Sequence, residues 1–185
     1  MRRILGVILI FITLCGCAAV KDSEPAIEFR QNLAKGNGYT FDVVITADYT
    51  DKYYTFGMQC KADKHSNLNF TVTEPNTISG ISGIIGAGDA SLLFNDQALA
   101  FEMMADGQIA PICGPWLFAR AMESGFIRSW ERTDEMVHLI VDDTFKDEKI
   151  QVDIYLTKDL LPIRGEILHQ GRRIIALQVE NFIIL

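Results

Sequence analysis

Histidine is scarce in this chain: His65, His138 and His169 are the only three among 185 residues. None is spaced as paired metal ligands are, so each is read as a surface or strand-edge residue and no metal site is assigned. Cysteine is nearly as rare, four in all, and no Cys-x-x-Cys pair occurs. Zinc sites and dithiol redox motifs are therefore not expected. The Gly-x-Ser-x-Gly spacing of a nucleophile elbow is missing, since Ser82 stands in Gly80-Ile81-Ser82-Gly83. The glycine run 83–88 (GIIGAG) leads into a strand pattern, so a phosphate cradle would lack its helix N-terminus. Basic residues are short too, 17 against 24 acidic. That balance argues against nucleic acid and against broad electrostatic adhesion to anionic head groups.

What the chain does have is one long apolar run, at its start. Arg2 and Arg3 precede residues 4–14 (ILGVILIFITL), which have the length and composition of a secretory h-region. Leu14-Cys15-Gly16-Cys17 follows and resembles the lipobox of bacterial prolipoproteins. The resemblance implies cleavage between Gly16 and Cys17 and a diacylglycerol thioether on Cys17. Two acyl chains anchor stably where one binds only marginally. Residues 4–20 carry no charge and sit at the short limit of a spanning helix, so an uncleaved signal anchor is the alternative. Either way the rest of the chain lies on the extracytoplasmic face of the cell membrane. The expected organisation is a signal peptide at 1–16, the lipidated cysteine and a tether at 17–24, and a single domain at 25–185.

Loss of Arg2 and Arg3 lowers the basic count to 15 against 24 acidic residues, a formal charge of −9. The acyl chains, and not the protein surface, would then hold the protein to the membrane. Of the cysteines, Cys15 is discarded and Cys17 acylated, which leaves Cys60 and Cys113. Export permits a disulfide between them. Cys60, however, alternates in phase with Tyr54, Phe56 and Met58, as an interior strand residue does, and two separate buried thiols are the plainer reading.

Past the tether, residues 25–35 carry Ile27, Phe29 and Leu33 and run into Gly36-Asn37-Gly38, which reads as a short amphipathic helix. From Tyr39 the period becomes two. Tyr39, Phe41, Val43, Ile45, Ala47 and Tyr49 alternate with polar residues, then Tyr54 to Ala62 and Leu68 to Val72 do the same, a three-strand antiparallel meander. Further strands are expected at 78–85, 91–94 and 98–104, with a hairpin signal at Asp106-Gly107. Residues 111–124 read as a helix with Pro115 in its first turn and Gly125 just past its end. Its Trp116, Leu117, Phe118, Ala119, Ala121 and Met122 leave only Arg120 and Glu123 polar, so most of its surface must be covered. Strands follow at 126–132, 137–141, 150–156, 163–168 and 174–184. Asp142-Asp143 and Asp147-Glu148, a residue type suited to acid/base work or calcium, are read as one solvated loop between two of them. No catalytic residue and no cofactor is assigned.

Ten or eleven antiparallel strands with one apolar face need a cover, and two helices are few for so many. The fold expected is mainly β: a curved antiparallel half-barrel sheet with the helices on its concave face, leaving an apolar cleft. Over nearly all of residues 25–185 the chain resembles the LolA/LolB-like lipoprotein-carrier superfamily. The resemblance lies in the N-terminal helix, the meander of residues 39–72 and the Asp106-Gly107 turn before a mid-chain helix. It extends to the closing segments Leu161-Pro162-Ile163-Arg164-Gly165-Glu166, Gly171-Arg172-Arg173 and Val179-Glu180-Asn181-Phe182. Phe70-Thr71-Val72-Thr73-Glu74-Pro75 and Ile78-Ser79-Gly80-Ile81 are similar to lipid-anchored Gram-positive members, spore-germination lipoproteins among them. The resemblance implies acyl-chain binding on the concave face. The candidate ligand-binding residues are Phe41, Val43, Ile45, Phe56, Met58, Phe70, Trp116, Leu117, Phe118, Met122, Val152 and Ile154. The alternative is a non-enzymatic tethered scaffold that grips an envelope protein, or a second copy in a homodimer, through a sheet edge.

Overall fold

A computed structural model describes residues 25–94, 97–105 and 107–185. The signal segment, the tether and Cys17 lie outside the described residues. Helix α1 (Pro25–Lys35) leads into β1 (Gly38–Asp48), β2 (Tyr53–Asp63), β3 (Leu68–Glu74), β4 (Ser82–Ile85), β5 (Ala90–Phe94) and β6 (Gln97–Ala100). A small hairpin, β7 (Met104–Ala105) and β8 (Gln108–Ile109), turns through Gly107. A 3-10 turn at Pro111–Cys113 then opens helix α2 (Gly114–Glu123). The chain closes with β9 (Phe126–Arg132), β10 (Met136–Phe145), β11 (Glu148–Thr157), β12 (Pro162–His169) and β13 (Arg172–Ile184).

Eleven strands form one open antiparallel sheet in the order β6-β5-β4-β3-β2-β1-β13-β12-β11-β10-β9. It consists of two meanders, β1 to β6 and β9 to β13, fused where the first strand pairs with the last. The fusion is tight: Asn37 N–H donates to Leu185 O at 2.7 Å and Leu185 N–H to Gly38 O at 2.9 Å. The two edges of the sheet, β6 and β9, are consecutive in the main sheet's chain order. The connection between them must therefore travel from one edge to the other, and it carries β7, β8 and α2 across one face of the sheet.

That face is concave. Helix α2 lies against β3 on one side and against β10, β11, β12 and β13 on the other. In a flat sheet β3 and β10 would stand six strand spacings apart, about 29 Å at ~4.8 Å each. A helix only ~10 Å across reaches both because the sheet curls around it. The expected half-barrel with a helix in its hollow is what the chain forms. The alternation seen in the sequence gives the inner face: Tyr39, Phe41, Val43, Ile45 and Ala47 of β1 are buried, and Val137, Leu139, Ile150, Val152, Ile154 and Leu156 continue the same layer. No helix among the described residues is long and apolar enough to cross a membrane.

Three expected boundaries differ. Residues 75–80 turn, so the strand expected from 78 starts at Ser82 and leaves Ile78 exposed. The strand expected over 98–104 is two pieces, β6 and β7, separated where Phe101 N–H bonds Ala90 O at the start of β5. The expected 142–148 loop is mostly strand. Strand β10 continues to Phe145, and only Lys146 and Asp147 turn, both with positive φ (47° and 67°). That is the backbone of a primed two-residue hairpin turn, formed without the Asn-Gly or Asp-Gly dipeptide that advertises one.

Candidate hydrophobic site and its polar mouth

The sheet brings the expected ligand-binding residues to one side. Phe41 stands level with Cys60 and Phe70 across β1, β2 and β3. Ile154, Gly165, Leu177, Ile45 and Phe56 make a second row across β11, β12, β13, β1 and β2. Phe41, Val43, Ile45, Met58, Phe70, Trp116, Leu117, Phe118, Met122, Val152 and Ile154 are each at most 3 % exposed. Phe56 is half-buried against the margin of this core. The open cleft expected on these residues is thus occupied by the chain's own α2, because a helix apolar nearly all round is the cheapest material with which to fill an oily hollow.

Glycine seats the helix. A Cβ at Gly165 would stand 2.5 Å from the Phe118 ring, so the phenyl group rests on bare backbone at the middle of β12. At the far end a Cβ at Gly125 would lie 2.3 Å from Val141 Cγ1.

Polar contacts fasten α2 at its ends and flank. The Trp116 Nε1–H donates to Ser66 O in the β2–β3 turn at 2.8 Å, and its ring meets Phe145 edge-on at 5.7 Å. Arg120 covers the Trp116 ring and donates to Asp143 Oδ1 at 2.8 Å and Thr144 O at 2.7 Å. Glu123 accepts from the Tyr39 hydroxyl with Oε1 at 2.8 Å and from Ser66 Oγ with Oε2 at 2.7 Å. The last turn of any helix leaves carbonyls without intrahelical donors. Here Arg30 of α1 supplies them, donating to Met122 O and Ala121 O at 3.1 Å each and also to Gly125 O. Burial lowers the Arg30 pKa from its ordinary value, and burial followed by the Glu123 charge pushes the Tyr39 phenol well up.

Beside this latch a cavity of about 300 Å³ opens to solvent, lined by Arg30, Leu33, Ala34, Gly36, Gly38, Tyr39, Asp63, Lys64 and Glu123. Aromatic rings lead from it to the helix. Tyr39 stacks on Phe182 at 5.1 Å, Phe182 on Phe41 at 6.1 Å, and Phe41 meets Phe118 edge-on at 6.5 Å. Sequence reasoning did not reach Arg30, Lys64 or Glu123. The faint signal available was a polar pair, Arg120 and Glu123, on an otherwise apolar helix.

The histidines lie apart from one another. The backbone N–H of His65 donates to Asp63, the His138 ring stacks on Tyr155 at 4.4 Å, and His169 Nε2 lies 3.1 Å from Glu148. The paired carboxylates divide their attention: Asp142 faces Arg128 at 3.4 Å and Asp143 holds Arg120. Cys60 and Cys113 are buried and unpaired with each other, and burial raises both thiols, Cys113 to about 12. Among the described residues no group of three or more histidine, cysteine or acidic side chains could hold a metal ion.

No family model and no curated protein matches the chain. Among solved structures it is similar to a LolA superfamily protein from Nitrosomonas europaea, 12 % identical, covering 86 % of this chain and 93 % of that one with a TM-score of 0.48. A putative outer membrane lipoprotein-sorting protein domain from Vibrio parahaemolyticus is 11 % identical, with 86 % and 90 % covered and a TM-score of 0.49. The lipoprotein LppX of Mycobacterium tuberculosis is 11 % identical, with 86 % and 96 % covered and a TM-score of 0.40.

Proposed function

We propose that this is a lipid-anchored extracytoplasmic protein, without catalytic activity, that takes an acyl chain or similar hydrophobic ligand against the concave face of its sheet. The observation that carries this reading is the cover itself. One face of an eleven-stranded sheet is covered by a ten-residue helix with α1 packed beside it, and the packed rings of Tyr39, Phe182, Phe41 and Phe118 join that helix to a solvent-facing cavity. A ligand that displaces α2 exchanges one apolar filling for another, so the net cost is set by the few polar contacts that hold the helix. Cys17 supplies the anchor and residues 18–24 the tether.

Native mass spectrometry tests the reading. Residues 18–185, exported behind a cleavable signal and purified without detergent, should retain cellular lipid or take up an added fatty acid. A lipid-free protein that binds no hydrophobic probe sinks it.

A second reading, a scaffold for an envelope protein, draws on the edges of the open sheet. Edge strand β9 exposes Phe126 (72 %) and Trp130 (39 %), and edge strand β6 is uncharged and exposed throughout. Unpaired strand edges are templates for another chain. Crosslinking in intact membranes separates the readings: a stoichiometric protein partner at β6 or β9, or a β6–β6 or β9–β9 homodimer, favours the scaffold.

A further inference from the structure

The cavity beside Tyr39 contains four charged side chains, Arg30, Asp63, Lys64 and Glu123, and their hydrogen bonds distinguish them. Both carboxylates are used internally. Asp63 Oδ1 accepts the backbone N–H groups of His65 at 2.7 Å and Asn67 at 3.0 Å, and Oδ2 accepts Asn67 Nδ2 at 3.0 Å. Glu123 has one hydroxyl donor on each oxygen. The cations are not used up. Arg30 commits Nε and Nη2 to the carbonyls at the end of α2, while its Nη1 has no acceptor among the described residues. Lys64 lines the cavity and its ammonium has neither a hydrogen bond nor an ion pair among the described residues. The cavity thus joins two cations and two carboxylates to the apolar Leu33, Ala34 and Tyr39, and of the four charged groups the carboxylates are the ones whose oxygens already accept hydrogen bonds.

We propose that this cavity is a headgroup site for the anionic end, carboxylate or phosphate, of a single-chain amphiphile, with Lys64 and the Nη1 side of Arg30 as its donors. The inference rests on the hydrophobic-ligand reading and gives that ligand a polarity and a direction. The headgroup stays at the solvent-facing mouth and the tail follows Tyr39, Phe182 and Phe41 toward Phe118. A volume of about 300 Å³ is enough for a headgroup and its first methylenes. A neutral headgroup would leave the Lys64 ammonium without a counter-charge, and a cationic one would meet it as a like charge. The carboxylates of Asp63 and Glu123, already accepting hydrogen bonds, repel an anion and confine it to the Lys64 and Arg30 side.

The test uses the full-length chain in phosphatidylcholine nanodiscs and sixteen-carbon photoreactive probes that differ only at the head: carboxylate, phosphate monoester, alcohol and primary amine. Labelling of peptides containing Phe41, Phe118 or Phe182 is titrated to half-saturation. The carboxylate and phosphate probes are expected to saturate at about tenfold lower concentration than the alcohol, the scale of one charge-assisted hydrogen bond. Lys64→Gln should remove that difference and Lys64→Arg should restore it. If alcohol or amine labels the same peptides as readily as the anions, the headgroup site is overturned while the hydrophobic-ligand reading stands. If no probe labels them, both fall together. Competition by millimolar inorganic phosphate equal to that by the alkyl phosphate would mark a free-anion site and overturn the amphiphile.

Discussion

The Tyr39 hydroxyl donates to the Glu123 carboxylate at 2.8 Å, joining the first strand of the sheet to the last turn of the helix that fills it. Tyr39 is 2 % exposed, and when that partner is lost its hydroxyl keeps only the longer contact to Ala119 O at 3.4 Å. Glu123→Ala is expected to cost about 1–3 kcal/mol, the penalty of a stranded buried polar group. Tyr39→Phe should cost less, because it removes the polar group itself. Urea unfolding of the two variants and their double mutant measures the coupling. Additive losses would mean that the pair does not latch the helix.

Gly165 supports the Phe118 ring without a side chain between them. Gly165→Val should overpack this seat and lift α2, at a cost of about 1–3 kcal/mol or more. The indole of Trp116, 1 % exposed, reports the movement. Its fluorescence should shift to the red and become accessible to a polar quencher in the folded variant. An unchanged spectrum with unchanged stability would place the helix elsewhere.

Glu166 on the outer face receives Arg173 at 2.7 Å and Arg164 as well. Burial works to raise its pKa. The hydrogen bonds and charges of the two arginines outweigh that and hold the carboxyl below its ordinary 4.5. A depressed folded pKa contributes stability above the unfolded value and loses it as the pH falls through the folded one. The stability gap between wild type and Glu166→Gln should therefore be widest near neutrality and shrink below about pH 4. Urea midpoints across that range decide it, and a gap that widens on acidification contradicts the assignment.

Cys60 is 4 % exposed and Cys113 0 %, and burial raises both thiols, so neither should react as a thiolate in the native protein. Alkylation followed by peptide mapping should find both unmodified before denaturation and both modified after it. A Cys60–Cys113 crosslinked peptide would contradict the buried, separate thiols.

Cys17 carries the prediction about location. The mature protein from membranes should show the mass of a diacylglycerol thioether on an N-terminal Cys17. Cys17→Ala should accumulate as the uncut precursor. Detection of a cut, unacylated chain beginning elsewhere would remove the anchor from the proposal.

Much of this architecture was legible in one dimension. Alternation from Tyr39 to Ala47 marks the inner and outer faces of β1, because a strand's side chains change side at every residue. Pro25 to Lys35 appears as a helix for a similarly local reason, with Phe29 and Leu33 on one buried stripe before two glycines, while Ile27 stands off that stripe and is 51 % exposed. The missed boundaries were local too, where Lys146 and Asp147 adopt a turn that their side chains do not announce. The all-round apolar character of Trp116 to Met122 showed that this helix had to be covered.

The sequence by itself determined most of the strands and the two helices, since periodicity and composition act over a few residues. The tertiary structure alone decided that α2 fills the hollow, that Arg30 caps it and that Glu123 ties it to Tyr39 and Ser66. Those partners stand 57 to 95 residues apart, and they meet because β1 pairs with β13 and the sheet curls. Curling is a property of the whole sheet around its filling. No window of sequence contains it.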